Sequence, residues 1–485
     1  MLESQIRANW SWLRTAYDKM PFQVRNLLTS ARGVVLSRNR YHHGMYELLR
    51  ELRTHERWNR EQIEAYQLER LRAVVDHARK SVPFYFNYPR MALNDLRDIS
   101  KLPVLKRETV RANFDQFTSV DSRATDLIRV GTTGTTGASL HVVYSESTAR
   151  ENWAFHMRRW AWAGVEPRTP RLTLFGSRIV PPERQEPPFW THNSAENQTL
   201  LSIFHLSDRN AAHYIDFLRG RTGMVLEGFP SVLAILAEFV LATKTPIPMR
   251  VIFTDGEPLY PFLRDSIERA FGARVYDLYG NTELCGLIHE CEAGKMHALP
   301  DYAYLEILDE EGRPAPVGSE GNFVWTGFVN SAMPLIRYQV GDRGCWDPSG
   351  PCSCGRAFPL VVATITRDSD NLRCPDGRVF SPRALNQSLK GAASLRFCQI
   401  LHERPGHVVV RGVSGGDKAF DDVMAIRKNL QAVLGPRIRV SACLADAPIV
   451  RAGGKIPLII QYPPALSASA PRQQDPVFSY QTAHG

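Results

Sequence analysis

Between residues 172 and 278 short apolar runs alternate with helix-like segments, and this alternation restricts the fold more than any other feature of the chain. Residues 172–175, 224–226, 249–254 and 274–278 read as buried strands, and residues 231–242 and 261–271 as helices among them. Successive strands linked by helices of this length run parallel, and a parallel sheet needs cover on both faces. The expected fold class is α/β, with a large N-terminal domain of mostly parallel sheets.

The chain holds 485 residues, more than one hydrophobic core accommodates, so two or three domains are expected. Near the N-terminus, segments 46–53 and 60–80 carry apolar residues at three- and four-residue spacing, and Pro83 stops the second. Trp10, Trp12, Leu13 and Tyr17 stand among Arg7, Arg14 and Lys19. Their spacing suits an interfacial membrane helix or, as expected here, a helix packed on the body. From residue 302 the pattern turns to β, with strands at 305–308, 322–326 and 335–338 and a Gly/Pro turn at 312–318. Residues 379–462 read as a small α/β domain, with helices at 382–389 and 420–433 and strands at 408–411 and 437–442. The expected boundaries are 1–85 for an N-terminal helical region and 86–367 for the large domain with its β-rich subdomain. A small mobile C-terminal lid follows at 368–463, then a disordered Ser/Gln/Pro-rich tail at 464–485.

Basic residues outnumber acidic ones, 59 to 50, which favours anionic ligands without naming one. No basic run interleaved with aromatics points to nucleic acid. The apolar stretch 231–242 contains Glu238 and is too short to span a bilayer, so no transmembrane segment is expected. The first twenty residues lack the apolar core and cleavage site of a signal peptide, and a cytoplasmic location is the expectation. All eight cysteines follow residue 284, which suits a local reduced cluster better than a disulfide framework.

Two stretches carry candidate chemistry. Gly131 to Gly137 holds three glycines and four threonines, so backbone N–H groups and hydroxyls can approach a phosphate. It lies between expected strands, the second at 140–144, as the tip of a hairpin, and the following helix is expected to start with a Thr148–Glu151 capping box. It is not a Walker loop, and a plain surface turn is the alternative. Asp277-Leu278-Tyr279-Gly280-Asn281-Thr282-Glu283 ends an expected strand, where open parallel sheets bind ligands. A carboxylate there suits Mg2+ and an aromatic suits a purine; a polar strand end with no ligand is the alternative.

Together these stretches carry a family resemblance. Thr132, Thr133, Gly134, Thr135, Thr136 and Gly137 resemble the Thr-Ser-Gly-Thr-Thr-Gly phosphate loop of adenylate-forming enzymes, with Thr133 in the Ser place. Tyr279-Gly280-Asn281-Thr282-Glu283 resembles that family's second signature, and Arg337-Tyr338-Gln339-Val340-Gly341-Asp342 its Arg-Tyr-x-x-Gly-Asp segment. Thr366-Arg367-Asp368-Ser369-Asp370 is similar to the hinge, with Thr and Ser replacing Gly and Asp, and Gly453-Gly454-Lys455 to the Gly-Lys of the small domain. Glu227-Gly228-Phe229-Pro230-Ser231, Thr254-Asp255-Gly256-Glu257 and Pro351-Cys352-Ser353-Cys354-Gly355-Arg356 look like the phenylacetate-CoA ligase group, which includes CapK-like proteins.

The resemblance implies ATP-dependent activation of a carboxylic acid through an acyl-adenylate, then transfer to coenzyme A. The Gly/Thr loop would hold the β- and γ-phosphates and Glu283 the Mg2+. Tyr279 would lie against adenine and Asp342 would take the ribose hydroxyls, with Gly256, Glu257, Gly280, Asn281 and Thr282 completing the nucleotide site. Lys455 would bridge the carboxylate and the α-phosphate, and Arg367 would assist at the hinge. Phe175, Gly228, Phe229 and Tyr276 would line a pocket for an apolar or aromatic acid.

Cys291, His297, Cys352 and Cys354 make a three-thiolate, one-imidazole set that resembles the structural Zn2+ site of several members of the phenylacetate-CoA ligase group, with four unligated side chains as the alternative and His289 and Cys345 as spare ligands. Cys285, Cys374, Cys398 and Cys443 read as core. The resemblance also allows a homodimer, an amine, hydroxyl or carrier-protein acceptor in place of coenzyme A, or a nucleotide-binding homologue without catalysis.

Overall fold

The computed structural model describes residues 17, 20–131, 140–177, 179–181, 184–364, 366, 367, 372, 373, 379, 380, 385, 387–389, 394–404, 406–450 and 456–461. The first three full helices among the described residues are α1 (Phe22–Arg40), α2 (His43–His55) and α3 (Arg60–Ser81). Asn59 caps α3 reciprocally with Gln62, and the helix ends just before Pro83. The large domain continues with β1 (Leu105–Lys106), α4 (Arg107–Ala112), the hairpin β2 (Leu127–Gly131) and β3 (His141–Ser145), and α5 (Glu146–Trp162). Next come β4 (Arg171–Leu174), β5 (Trp190–Asn193), β6 (Gln198–Leu201), α6 (Ala211–Arg219), β7 (Val225–Gly228) and α7 (Pro230–Ala242). They lead to β8 (Val251–Asp255), α8 (Pro261–Phe271), β9 (Val275–Gly280), β10 (Leu287–Glu290) and β11 (Met296–Ala298).

β4 to β11 form one eight-stranded sheet in the order β11-β10-β9-β8-β7-β4-β6-β5. The pairs from β9 to β6 are parallel, as the apolar runs require. Antiparallel β5 closes one edge and antiparallel β10 and β11 extend the other, so the sheet is mixed at its margins. One face carries Leu172, Leu226, Ile252 and Val275 against Leu233 and Leu236 of α7 and Ile267 and Phe271 of α8. The other face holds Phe253, on which Trp160 of α5 stacks at 5.4 Å. α5 begins earlier than its Thr148–Glu151 pair suggests. Ser145 is the actual cap and accepts from the Thr148 amide, because Glu146 and Ser147 extend the helix by one turn.

The second sheet comprises β1, β12 (Ala303–Leu308), β13 (Gly321–Gly327) and β14 (Tyr338–Trp346), with β15 (Val361–Thr364) and β16 (Thr366–Arg367) also paired to β14. The strand expected at 335–338 starts only at Tyr338, because Arg337 takes a left-handed φ of 49°. Its buried guanidinium grips Glu306 at 2.8 and 2.9 Å, Ser100 O at 3.1 Å and Leu102 O. A second buried arginine, Arg158, makes a bidentate pair with Asp301 at 2.6 and 2.9 Å, and His55 Nδ1 lies 2.9 Å from the same carboxylate. This knot ties α2 to α5 and to the second sheet.

After the short hairpin β17 (Leu372–Arg373) and β18 (Val379–Phe380), the small α/β unit contains β19 (Leu395–Arg404), β20 (His407–Ser414), α9 (Ala419–Leu434), β21 (Arg439–Ala445) and β22 (Ile459–Gln461). Its sheet runs β21-β20-β19-β22, and α9 packs on it through Val423, Ile426 and Leu430. Phe397, Val413 and Ile456 reach into the apolar cluster around α7, so the small unit rests on the large one. Cys285 and Cys398 are buried as expected, but Cys443 is exposed on edge strand β21. The Gly/Thr loop beyond Gly131, Lys455, Cys374, the Trp10–Trp12 stretch and the 464–485 tail lie outside the described residues.

Candidate active site and metal centre

β9 delivers its carboxyl end to the junction of the two large sheets. Tyr279 is buried there, 6.3 Å from the Trp325 ring at 18° and edge-on to Phe323. Its hydroxyl donates to Asp342 Oδ2 at 2.7 Å. Burial, and then the Asp342 charge, push the Tyr279 pKa well up, so it stays a donor. Asp342 sits on β14 opposite Arg367 of β16 in the antiparallel register. Glu283 follows three residues after the end of β9 and is 5% exposed. The Tyr338 hydroxyl donates to Glu283 Oε1 at 3.2 Å, and Arg107 Nη1 lies 3.5 Å from the same oxygen. Burial raises the Glu283 pKa, with Arg107 pulling against it. Segments far apart in the chain thus meet around one pair of carboxylates.

Thr254 to Glu257 leave the end of β8 beside this region, with Gly256 at a φ of 74° that few side chains tolerate. Glu257 accepts from Ser231 N at the start of α7 at 3.1 Å and, through its other oxygen, from Ile456 N of the small unit at 3.0 Å. An anionic carboxylate at a helix N-terminus is favourably placed, and here it also binds the residue that follows Lys455. Thr254 Oγ1 donates to Asp277 Oδ1 at 2.6 Å. Burial pushes the Asp277 pKa up to about 7, with the Glu290 carboxylate adding to the rise. The base of the β2–β3 hairpin is held by Asn330 Nδ2, which donates to Val143 O at 2.9 Å.

Among the expected pocket residues, the Phe175 and Phe229 rings meet edge-on at 5.0 Å. Gly228 is a packing position: a Cβ there would lie 2.8 Å from Leu174 O on the neighbouring strand. Tyr276 does not join them. The two-residue period of β9 turns it to the opposite face of the sheet, where Arg274 sits 5.1 Å over its ring. The sequence reading missed Arg107, a lone arginine with no motif around it, and gave no role to Tyr338, although it sits inside a recognised segment.

At the other end of β10 lies a second cluster. The ligand atoms of Cys291, His297, Cys352 and Cys354 all lie within 4.8 Å of one another. Cys291 Sγ and Cys352 Sγ are 3.6 Å apart, and Cys354 Sγ is 3.4 Å from His297 Nε2. A tetrahedral Zn2+ with ~2.3 Å Zn–S bonds sets its sulfurs roughly 3.8 Å apart, so the donors fit that ion. His297 Nδ1 lies 3.1 Å from Phe358 O, which orients the ring and leaves Nε2 toward the thiols. Burial pushes His297 down to about 4 and Cys291 up to about 12, so metal entry must displace a thiol proton. The spares His289 and Cys345 are buried outside this quartet, and His289 packs edge-on against Trp162.

No family model matches the chain. A solved structure of 2-hydroxyisobutyryl-CoA ligase in the postadenylation state matches 84% of this chain and 91% of its own, with a TM-score of 0.66 and 20% identity. The fold is that of the adenylate-forming ligases. The sequence is similar to CapK of Staphylococcus aureus, 26% identical over 374 residues, covering 74% of this chain and 79% of that protein. It is also similar to the phenylacetate-coenzyme A ligase of Thermus thermophilus, 25% identical over 64% of this chain and 72% of that protein.

Proposed function

We propose that the chain is an AMP-forming acid–thiol ligase of the phenylacetate-CoA ligase type, acting on an aryl or apolar carboxylic acid with ATP and coenzyme A. The observation that carries this reading is the meeting of Tyr279 and Glu283 with Tyr338 and Asp342 at the end of β9, since these segments hold the adenylate-forming motifs.

A free carboxylate resists thiol attack because its oxygen is a poor leaving group. In the proposed first step that oxygen attacks the α-phosphate of ATP and pyrophosphate departs. A coenzyme A thiolate then attacks the acyl carbon, and AMP leaves with the bonding electrons. The protein's task is positioning and charge stabilisation. Thr132, Thr133, Gly134, Thr135, Thr136 and Gly137 would hold the terminal phosphates, and Glu283 the Mg2+ that shields them. Asp342 would accept from the ribose hydroxyls, and Gly256, Gly280, Asn281 and Thr282 would line the nucleotide. Lys455 would sit between carboxylate and α-phosphate, with Glu257 fixing its neighbour Ile456, and Arg367 would act at the hinge. Phe175 and Phe229 offer an apolar wall for the acid. Cys291, His297, Cys352 and Cys354 would hold Zn2+ as a structural staple.

Acid-dependent exchange of pyrophosphate into ATP over a panel of aryl and aliphatic acids tests the first step. AMP release with and without coenzyme A tests the second. Exchange with a given acid but AMP release only with an amine or carrier protein would move the chain to the acceptor chemistry of the CapK reading. Absence of exchange with every acid would overturn the ligase assignment.

A further inference from the structure

α1 is amphipathic in the inverse sense. Asn26, Ser30, Gly33, Ser37 and Arg40 recur at four- and three-residue spacing and form the face that touches the body of the protein. Asn26 Oδ1 accepts from His192 N at 2.9 Å, Ser30 Oγ accepts from Ser194 N at 3.1 Å, and Ser37 Oγ donates to Ala195 O at 3.3 Å. Arg40 Nη1 donates to both oxygens of the buried Glu196, at 3.0 and 3.1 Å. Gly33 lies so close to Asn193 that no side chain fits between them. A helix docked by its polar side turns its apolar side outward. Val24, Leu28 and Val35 lie diametrically opposite, flanked by Leu27 and Val34, and Leu27 and Val35 are 68% and 56% exposed. Arg32 and Arg38 border this stripe and are exposed too.

We propose that this face of α1 rests on an anionic lipid surface, with Val24, Leu27, Leu28 and Val35 entering the headgroup boundary and Arg32 and Arg38 meeting phosphates. Charge complementarity selects this occupant. Of the four arginines in α1, Arg32 and Arg38 face outward while Arg25 is buried and Arg40 is paired with Glu196, and the helix contains no acidic residue. A second copy of the chain, related by a two-fold axis, would set these arginines against their own images without a carboxylate in the helix to balance them. The segment before α1 is itself basic through Arg7, Arg14 and Lys19 and offers no better match. Apolar stripes bordered by arginines bind interfaces through buried area plus attraction to anionic lipid, and among the described residues no helix is long and apolar enough to cross a membrane.

The test is co-sedimentation of the full-length chain with vesicles of phosphatidylcholine alone or mixed with phosphatidylglycerol. Binding to the mixed vesicles is expected to exceed binding to phosphatidylcholine by about tenfold or more and to weaken with salt. The double variant Leu28→Glu/Val35→Glu should fall to background, and Arg32→Glu/Arg38→Glu should lose about tenfold, both with unchanged melting and circular dichroism. Equal binding by wild type and Leu28→Glu/Val35→Glu, or no binding by wild type to either vesicle, would overturn the proposal. So would a solution dimer that the same variant converts to monomer, since the occupant would then be a second copy.

Discussion

The two ends of the β9–β10 pair make an instructive contrast. At one end Cys291, His297, Cys352 and Cys354 stand at the spacing of a filled coordination tetrahedron, with the imidazole already oriented by Phe358 O. At the other end Glu283 is occupied by Tyr338 and Arg107, partners that a metal–nucleotide complex would have to displace or share. One cluster is closed on itself, as the proposed staple would require, and the other keeps its carboxylate in exchangeable contacts, as the proposed turnover would require. Because β10 is only four residues long, a metal behind Cys291 would also steady the turn that presents Glu283.

That contrast can be broken or sharpened experimentally. Lys455→Ala should lower acid-dependent pyrophosphate exchange by about a thousandfold while ATP affinity, read by calorimetry, changes little; unchanged exchange would remove the lysine from the chemistry. Glu283→Gln should reduce exchange on the order of a hundredfold, with partial recovery at raised Mg2+ if the carboxylate holds the ion. Cys352→Ser should abolish a stoichiometric zinc signal in metal analysis and lower the melting temperature by about 10 °C; a smaller loss of exchange at low temperature would separate staple from catalysis. Glu257→Gln keeps the shape but replaces one of two accepting oxygens with an NH2 donor, so the bond from Ser231 N or from Ile456 N is lost; about a tenfold loss in exchange with a small drop in melting temperature is expected.

The smallest effect concerns Asp277. Its folded value of about 7 exceeds the ordinary 3.8, so the native state keeps a proton that the unfolded chain has released. The stabilisation is complete below the lower value and is lost as pH rises through the upper one. Melting temperatures of wild type should therefore fall relative to Asp277→Asn between pH 4 and pH 7. Parallel curves would mean that Asp277 titrates normally.

Legibility in the sequence followed physical contrast. The parallel strands β4, β7, β8 and β9 stood out because burial on both faces makes them continuous apolar runs. The antiparallel strands β5 and β10 did not, since Trp190-Thr191-His192-Asn193 and Leu287-Ile288-His289-Glu290 mix polar and apolar residues without a clean period. The four metal-type ligands were readable through the family resemblance of their two short pairs, and the fold brings the pairs together across more than fifty residues of chain. Tyr276 was misplaced because an aromatic beside a motif does not declare which sheet face it takes. Arg107 was invisible: its partner Glu283 lies far along the chain, and only the pairing of β1 with β14 brings α4 to it.

The single carboxylate of Glu257 reaches both the first turn of α7 and the backbone of Ile456. If the small unit swings between half-reactions, it surrenders there one hydrogen bond and the apolar contact of Ile456, while the oxygen on α7 keeps the Glu257 carboxylate seated and ready to receive it again. Such a catch would let the small unit release without unravelling its own doorframe and would return it to the same registration on closing.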